Sequence, residues 1–234
     1  MNSKLHERVN SARGIVFDLF HTLTSRESEW FNGPFTYQAL GVSREAWEHQ
    51  LFESSHFRLA GVERNHTAVI TRMARAIDPD ISDEVIATAV ENRARRFASA
   101  LQNIPPENLA LLRTLRNRSI KLGLVSNADC GEVESWSSSP LAPLFDSTVF
   151  SCHVGYVKPE PEIFLCCLSE LGLHPEECLF VGDGGSQELM AARSLGFGTV
   201  MVQGIMRELW PQKLEERARA ADFVVEFSSE LLSA

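Results

Sequence analysis

Groups capable of chemistry stand at four places where a short apolar run gives way to a loop. Asp18 follows Gly14-Ile15-Val16-Phe17 and opens Asp18-Leu19-Phe20-His21-Thr22. Asp is disfavoured inside a buried strand, so a carboxylate here asks for a reason, the plain alternative being a loop-start Asp that caps a turn. Ser126-Asn127 follows Leu122 to Val125, and such residues also begin ordinary loops. Lys158, one of only four lysines, precedes Pro159. It can hold an anionic nucleophile and phosphate oxygens together, or it can be solvated. Asp183 and Glu188 flank Gly184-Gly185-Ser186. Two carboxylates around a glycine-rich turn can hold a hard divalent cation through oxygen, although a tight strand-to-helix turn has the same composition. A dinucleotide reading of Gly182, Gly184 and Gly185 is weak, because Gln187 occupies the third glycine position. No Walker A loop is present.

The elements that must position these groups follow from periodicity. Short β-branched runs at 14–18, 122–126, 148–151, 178–182, 199–203 and 223–227 alternate with helical patterns at 107–117, 161–172, 186–195 and 206–220. That alternation describes a parallel sheet covered by helices, an α/β fold. In such sheets ligands bind beyond the carboxyl ends of the strands, where all four places lie. About a hundred residues separate the first two strands, far more than one crossover needs. The gap carries helical patterns opened by Ser43 (Trp47, Leu51, Leu59), by His66-Thr67 (Val69, Ile70, Met73, Ile77) and by Ser82 (Val85, Ile86, Ala89, Val90, Phe97). Residues 24–104 therefore read as an all-helical insertion, with 1–23 and 105–234 forming the core.

Composition bounds the partners. The net charge of -9 disfavours a nucleic-acid or anionic-lipid surface, so an anionic substrate must be small and held locally. No apolar run approaches the roughly 20 residues of a membrane helix, and the charged opening MNSKLHERVN argues against a secretory signal. Five cysteines without a CxxC spacing read as reduced thiols of a cytoplasmic protein.

Taken in order, Asp-x-x-x-Thr, Ser-Asn, Lys-Pro and Gly-Asp-x-x-x-x-Glu form a far more specific pattern than any one member. The combination resembles the haloacid dehalogenase (HAD) superfamily with a helical cap inserted after the first motif, over 14–225. The resemblance implies a Rossmann-like three-layer core, Asp18 as nucleophile, and Thr22, Ser126 and Lys158 at the catalytic hydroxyl and lysine positions. It also implies Mg2+ held by Asp18, the Phe20 carbonyl and Asp183, with Glu188 at the outer acidic position. Asn127, Phe20 and His21 join Ser126 and Lys158 as expected substrate contacts. An aspartyl phosphate hydrolysed by water is the expected chemistry.

One departure redirects that expectation. Phosphatases of this kind place a second Asp two residues after the nucleophile as acid and base, and here that position is Phe20. General acid-base help contributes about 10² to 10⁴ in rate, so the substrate needs a good leaving group, or His21 substitutes, or turnover is weak and the protein chiefly binds a ligand. Haloacid dehalogenases of the superfamily carry an aromatic residue there, which makes carbon-halogen cleavage the competing reading. They also use Ser-Ser-Asn without a metal at the fourth motif and a Tyr where this chain has Phe164. Uncompensated, Asp183 would set a second negative charge beside Asp18. A phosphonoacetaldehyde hydrolase needs a cap lysine, and residues 24–104 contain none. Nine arginines lie there, and one or two are expected to reach over the site. Trp30, Phe31 and Trp47 are expected either to pack a core or to line a pocket, and His49, His56 and His66 lack metal-ligand spacing.

Overall fold

The computed structural model describes residues 2–232. Six parallel strands, β1 (Gly14–Phe17), β2 (Lys121–Ser126), β3 (Ser147–Phe150), β4 (Cys178–Gly182), β5 (Gly198–Val202) and β6 (Phe223–Val225), form one sheet in the order β3-β2-β1-β4-β5-β6. Every residue of β1 and β4 is buried, as strands covered on both faces require. Alternation assigns the faces. Ile15 and Phe17 join the cluster packed by α1 (Asn2–Ser11), which supplies Leu5 and Val9, whereas Val16 belongs to the opposite cluster.

The sheet order reverses between β1 and β4, which opens the crevice where α/β folds place ligands. In register, Phe17 lies opposite Val181, and the Asp18 amide donates to the Val181 carbonyl at 2.9 Å. The strand ladder therefore runs one bond beyond β1 and pins Asp18 at the crevice.

Six helices separate β1 from the core helix α8 (Pro106–Asn117): α2 (Glu27–Trp30), α3 (Thr36–Leu40), α4 (Arg44–Phe52), α5 (His56–Leu59), α6 (His66–Ile77) and α7 (Asp83–Gln102). They bury a core of their own around Trp47, Ile70, Met73 and Ile86, so Trp47 is a packing residue. Ser43 and Ser82 act as caps, accepting from the Ala46 and Val85 amides. His66 is the first helical residue of α6, and Asn65 caps it. The core is completed by α8 and, on the other face, by α10 (Pro161–Leu171) and α11 (Glu188–Leu195). Short α9 (Ser151–Val154) follows β3, and α12 (Gly204–Leu209) and α13 (Leu214–Ala218) lead to β6.

Four differences from the periodicity have local causes. The amphipathic helix α1 was hidden by its charged composition. The pattern opened by Ser43 breaks after Phe52, and the break turns Arg58 of α5 into the core, where it is buried. The pattern at 206–220 is interrupted by Pro211, which lacks an amide donor and starts a 3-10 turn between α12 and α13. At the other glycine-rich turn, Ser186 and Gln187 both adopt left-handed backbone (φ 50° and 54°), so α11 begins only at Glu188. No helix among the described residues is long and apolar enough to cross a membrane.

Cap and core meet closely at Gly61. Its φ is +65°, and a Cβ there would lie 2.0 Å from the Cys152 carbonyl oxygen, so only glycine fits this contact.

Candidate active site

Four strand-end segments converge on Asp18. Thr22 lies one turn beyond, and its hydroxyl donates to Asp18 Oδ2 at 3.0 Å. From the loop before α10, Lys158 Nζ reaches Asp18 Oδ1 at 2.6 Å and Glu188 Oε2 at 2.5 Å. Glu188 Oε1 accepts from the Gly184 amide at 3.0 Å, and Asp183 Oδ1 from the Gly185 amide at 2.6 Å. Asp18, Thr22, Ser126, Lys158, Asp183 and Glu188 are all buried. The left-handed pair Ser186-Gln187 costs about 1 to 3 kcal/mol per residue, and it delivers Glu188 to the lysine.

Asn127 has a structural task besides the one expected of it. Its Nδ2 donates to the Lys158 carbonyl at 3.0 Å, and its Oδ1 accepts from the Lys158 amide at 2.8 Å. Each polar end of the side chain thus makes one bond to the backbone that carries the lysine, and Asn127 positions Lys158. Ser126 is the opposite case: its Oγ is buried and has no hydrogen-bond partner among the described residues, which leaves its donor for a ligand.

Charge in the site is dense and mixed: Lys158 lies against Asp18 and Glu188, and Arg217 lies 3.4 Å from Asp183. Three carboxylates, Asp18, Asp183 and Glu188, bring one oxygen each within 4.8 Å of one another. Burial pushes Glu188 up to about 8; Lys158 opposes that rise, and Asp18 and Asp183 add to it. Burial works to neutralise Lys158, but Asp18 and Glu188 outweigh it and hold the ammonium above its usual range. Clustered hard oxygen donors of this kind fit a small divalent cation.

Phe20 is half-buried in an aromatic cluster with Trp30 and Phe97, at ring-centroid distances of 5.6 and 5.3 Å. The residue in the usual acid position therefore grips the cap. His21, in left-handed backbone with φ 62°, stacks on Trp30 at 6.0 Å. Its Nε2 lies 3.4 Å from Glu27 and its Nδ1 3.8 Å from Asp183. Burial alone would lower the His21 pKa, but Glu27, Asp183 and Asp18 raise it above the usual value.

The cap arginines expected over the site have protein partners. Arg58 Nη1 lies 3.1 Å from Asp129 and 3.3 Å from Glu132, and Arg93 pairs with Glu132 as well. Arg96 donates to the carbonyls of Glu27, Gly33 and Pro34 and lies over the Phe35 ring, with Phe31 beyond. Arg217, in a segment without any motif, donates to the Asp183 carbonyl at 3.1 Å and lies 3.4 Å from its Oδ2. No sequence signal marked Arg217 or the Asp129-Glu132 pair.

With this geometry established, comparison with known proteins places the chain. A family profile described as haloacid dehalogenase-like hydrolase matches residues 12–196. The chain belongs to that family of hydrolases. Among curated relatives it is similar to the glyceraldehyde 3-phosphate phosphatase of Methanopyrus kandleri, 26% identical over 82% of each chain. It also resembles the phosphoserine phosphatase of Thermus thermophilus, 32% identical over 54% of this chain and 53% of that one. A solved structure of L-2-haloacid dehalogenase from Xanthobacter autotrophicus with chloropropionic acid covalently bound superposes with a TM-score of 0.66 at 19% identity, covering 94% of this chain and 96% of that one. A HAD phosphatase from Thermococcus onnurineus gives 0.59 at 20%, covering 94% and 95%. At these identities the solved structures establish the fold.

Proposed function

We propose that the protein is a magnesium-dependent phosphohydrolase that acts on a small phosphorylated metabolite with a good leaving group, with residues 24–104 serving as its cap. The observation that carries this reading is the cluster of three buried acidic side chains, Asp18, Asp183 and Glu188, with one oxygen each within 4.8 Å of the others at the sheet's switch point. A carbon-halogen hydrolase that works without a metal has no use for a second acidic side chain, Asp183, beside its nucleophile.

Asp18 and Asp183, with the Phe20 carbonyl, would hold Mg2+, and Glu188 would stand behind them. The bound cation would offset the repulsion between the carboxylates and the phosphate and polarise a phosphoryl oxygen. The remaining roles belong to the chain. Lys158 and Thr22 fix the two oxygens of Asp18, which attacks phosphorus while the bond to the leaving oxygen breaks. Ser126 Oγ and Lys158 Nζ receive the phosphoryl oxygens where charge spreads. Water then cleaves the aspartyl phosphate, releasing phosphate and restoring Asp18. Phe20 supplies no proton to the leaving group, which restricts efficient turnover to groups that depart as stable anions, such as a carboxylate from an acyl phosphate. Its ring and that of His21 would bound the substrate on the cap side. The free thiols suit a reducing cytoplasmic setting.

The aromatic cluster around Phe20 favours a second reading, a 2-haloacid dehalogenase forming an ester on Asp18, because a halide leaves without a proton. Phe164 speaks against it: the ring is packed in the core on Phe180 and Phe197 and offers no hydroxyl. A third reading, ligand binding with little turnover, predicts that Asp18→Asn preserves the biological effect. Release of phosphate and of halide from parallel panels, including an acyl phosphate and a 2-haloacid, with Mg2+ or with EDTA, separates the three. Phosphate release that requires both Mg2+ and Asp18 supports the first, metal-independent halide release replaces it with the second, and neither product leaves the third.

A further inference from the structure

We propose that Cys130, Cys152 and His153 form a second metal site, one for a soft ion such as Zn2+, at the place where the cap meets the core. One ligand atom from each residue lies within 4.8 Å of the other two. A tetrahedral zinc centre with bonds of about 2.0 to 2.3 Å sets its ligand atoms roughly 3.5 Å apart, so a small contraction of this cluster suffices.

The arrangement follows from the sheet. β2 and β3 are parallel neighbours, with Ser126 opposite Phe150. The loop after β2 and the first turn of α9 therefore leave the same sheet edge side by side, the loop bringing Cys130 and α9 bringing Cys152 and His153. Ser151 Oγ already ties the two by donating to the Ala128 carbonyl at 3.2 Å and accepting from the Ala128 amide at 3.0 Å. Exposure is graded: Cys152 is buried, Cys130 is half-buried and His153 is exposed. The exposed histidine leaves the cluster open to solvent on that side.

Chemistry separates this cluster from the acidic one. Thiolates and imidazole select zinc or copper(I), whereas the carboxylates around Asp18 select magnesium. Burial, helped by Arg64, lowers the His153 pKa and keeps the imidazole neutral, as a ligand must be. Burial and then Cys130, Asp129 and Glu132 hold the proton on Cys152 in the metal-free protein. Binding therefore expels the Cys130 and Cys152 protons to solvent as two sulfur-metal bonds form, with no change of oxidation state. Since the Cys130 loop begins at Ser126-Asn127 and Gly61 of the cap sits on Cys152, an ion here would clamp the loop, α9 and the cap contact together.

The test uses the full chain, reduced with a phosphine and stripped of metal, then titrated with Co2+ in excess Mg2+. The expected result is a thiolate-to-cobalt charge-transfer band that saturates at one Co2+ per chain, is displaced by one Zn2+, and accompanies a rise in melting temperature. His153→Ala, at an exposed position, should weaken binding at least 10-fold; Cys130→Ser should remove the band; Asp183→Asn should leave it unchanged. Circular dichroism checks that each variant is folded. Absence of the band in the reduced protein, its survival in Cys130→Ser, or loss of Zn2+ binding in Asp183→Asn but not in His153→Ala each overturns the proposal. So does a Cys130–Cys152 disulfide in air combined with no metal binding after reduction, which would assign the pair to redox chemistry.

Discussion

Lys158 stands between Glu188 and Asp18, its Nζ 2.5 Å from one carboxylate and 2.6 Å from the other. The lysine is thereby a spacer as well as a charge: it fixes Asp18 against Glu188. Glu188, raised to about 8 mainly by burial, holds a proton in the folded state over a range where the unfolded chain has lost it. Its contribution to stability is full below the unfolded value near 4.5 and is lost as pH rises through about 8. Metal-free wild-type protein should therefore lose melting temperature between pH 5.5 and pH 8.5 relative to Glu188→Gln. Parallel thermal melts in EDTA at the two pH values measure the difference, and equal slopes would remove the assignment.

Ser126→Ala tests the free hydroxyl. Because Oγ has no partner among the described residues, its removal should leave stability within about 0.5 kcal/mol of wild type. A hydrogen bond to a charged phosphoryl oxygen contributes roughly 1.5 to 3 kcal/mol, so kcat/KM should fall about 10- to 150-fold. Steady-state kinetics together with a denaturant titration supply both numbers, and a variant as active as wild type would take Ser126 out of the site.

Phe20→Asp restores a carboxyl group two residues after the nucleophile at the expense of the contacts with Trp30 and Phe97. Stability should drop by about 3 kcal/mol or more, as for other large-to-small changes in an apolar cluster. Turnover of an alkyl phosphate should rise relative to an acyl phosphate, because only the former needs a proton on its leaving group. The ratio of the two kcat values reads the effect, and an unchanged ratio would show that Phe20 does not set leaving-group preference.

Arg93→Ala should destabilise by about 3 to 5 kcal/mol, since it strips Glu132 of a buried partner. Replacing both charges, as Arg93→Met with Glu132→Leu, should recover at least half of that loss. Chemical denaturation of the single and double variants measures the recovery. If the double variant is no better than the single, the ion cluster contributes more than the penalty for an orphaned charge.

Much of the catalytic end was legible because strand ends and turn chemistry are local. Asp18, Ser126 and Asp183 could be placed from the apolar runs before them, and Lys158 from its rarity. The hold of Asn127 on the Lys158 backbone was not foreseen because its hydrogen bonds reach a segment 31 residues away, which spacing does not encode. The Arg58-Asp129 pair spans 71 residues and joins two separately packed bodies, so the arginines looked like solvated helix charges. Helix α1 was missed because its few buried residues, Leu5 and Val9, are embedded among charges. Arg217 sits in the stretch that Pro211 breaks, where a continuous helix would have pointed the side chain differently.

Gly61 governs clearance. A single methyl group added at this position would act as a shim between the cap and Cys152, and Gly61→Ala would prop the two bodies apart without touching a catalytic side chain. The seam between the helical insertion and the sheet core thus accepts no side chain at this point, and its tightness depends on a residue outside the acidic cluster.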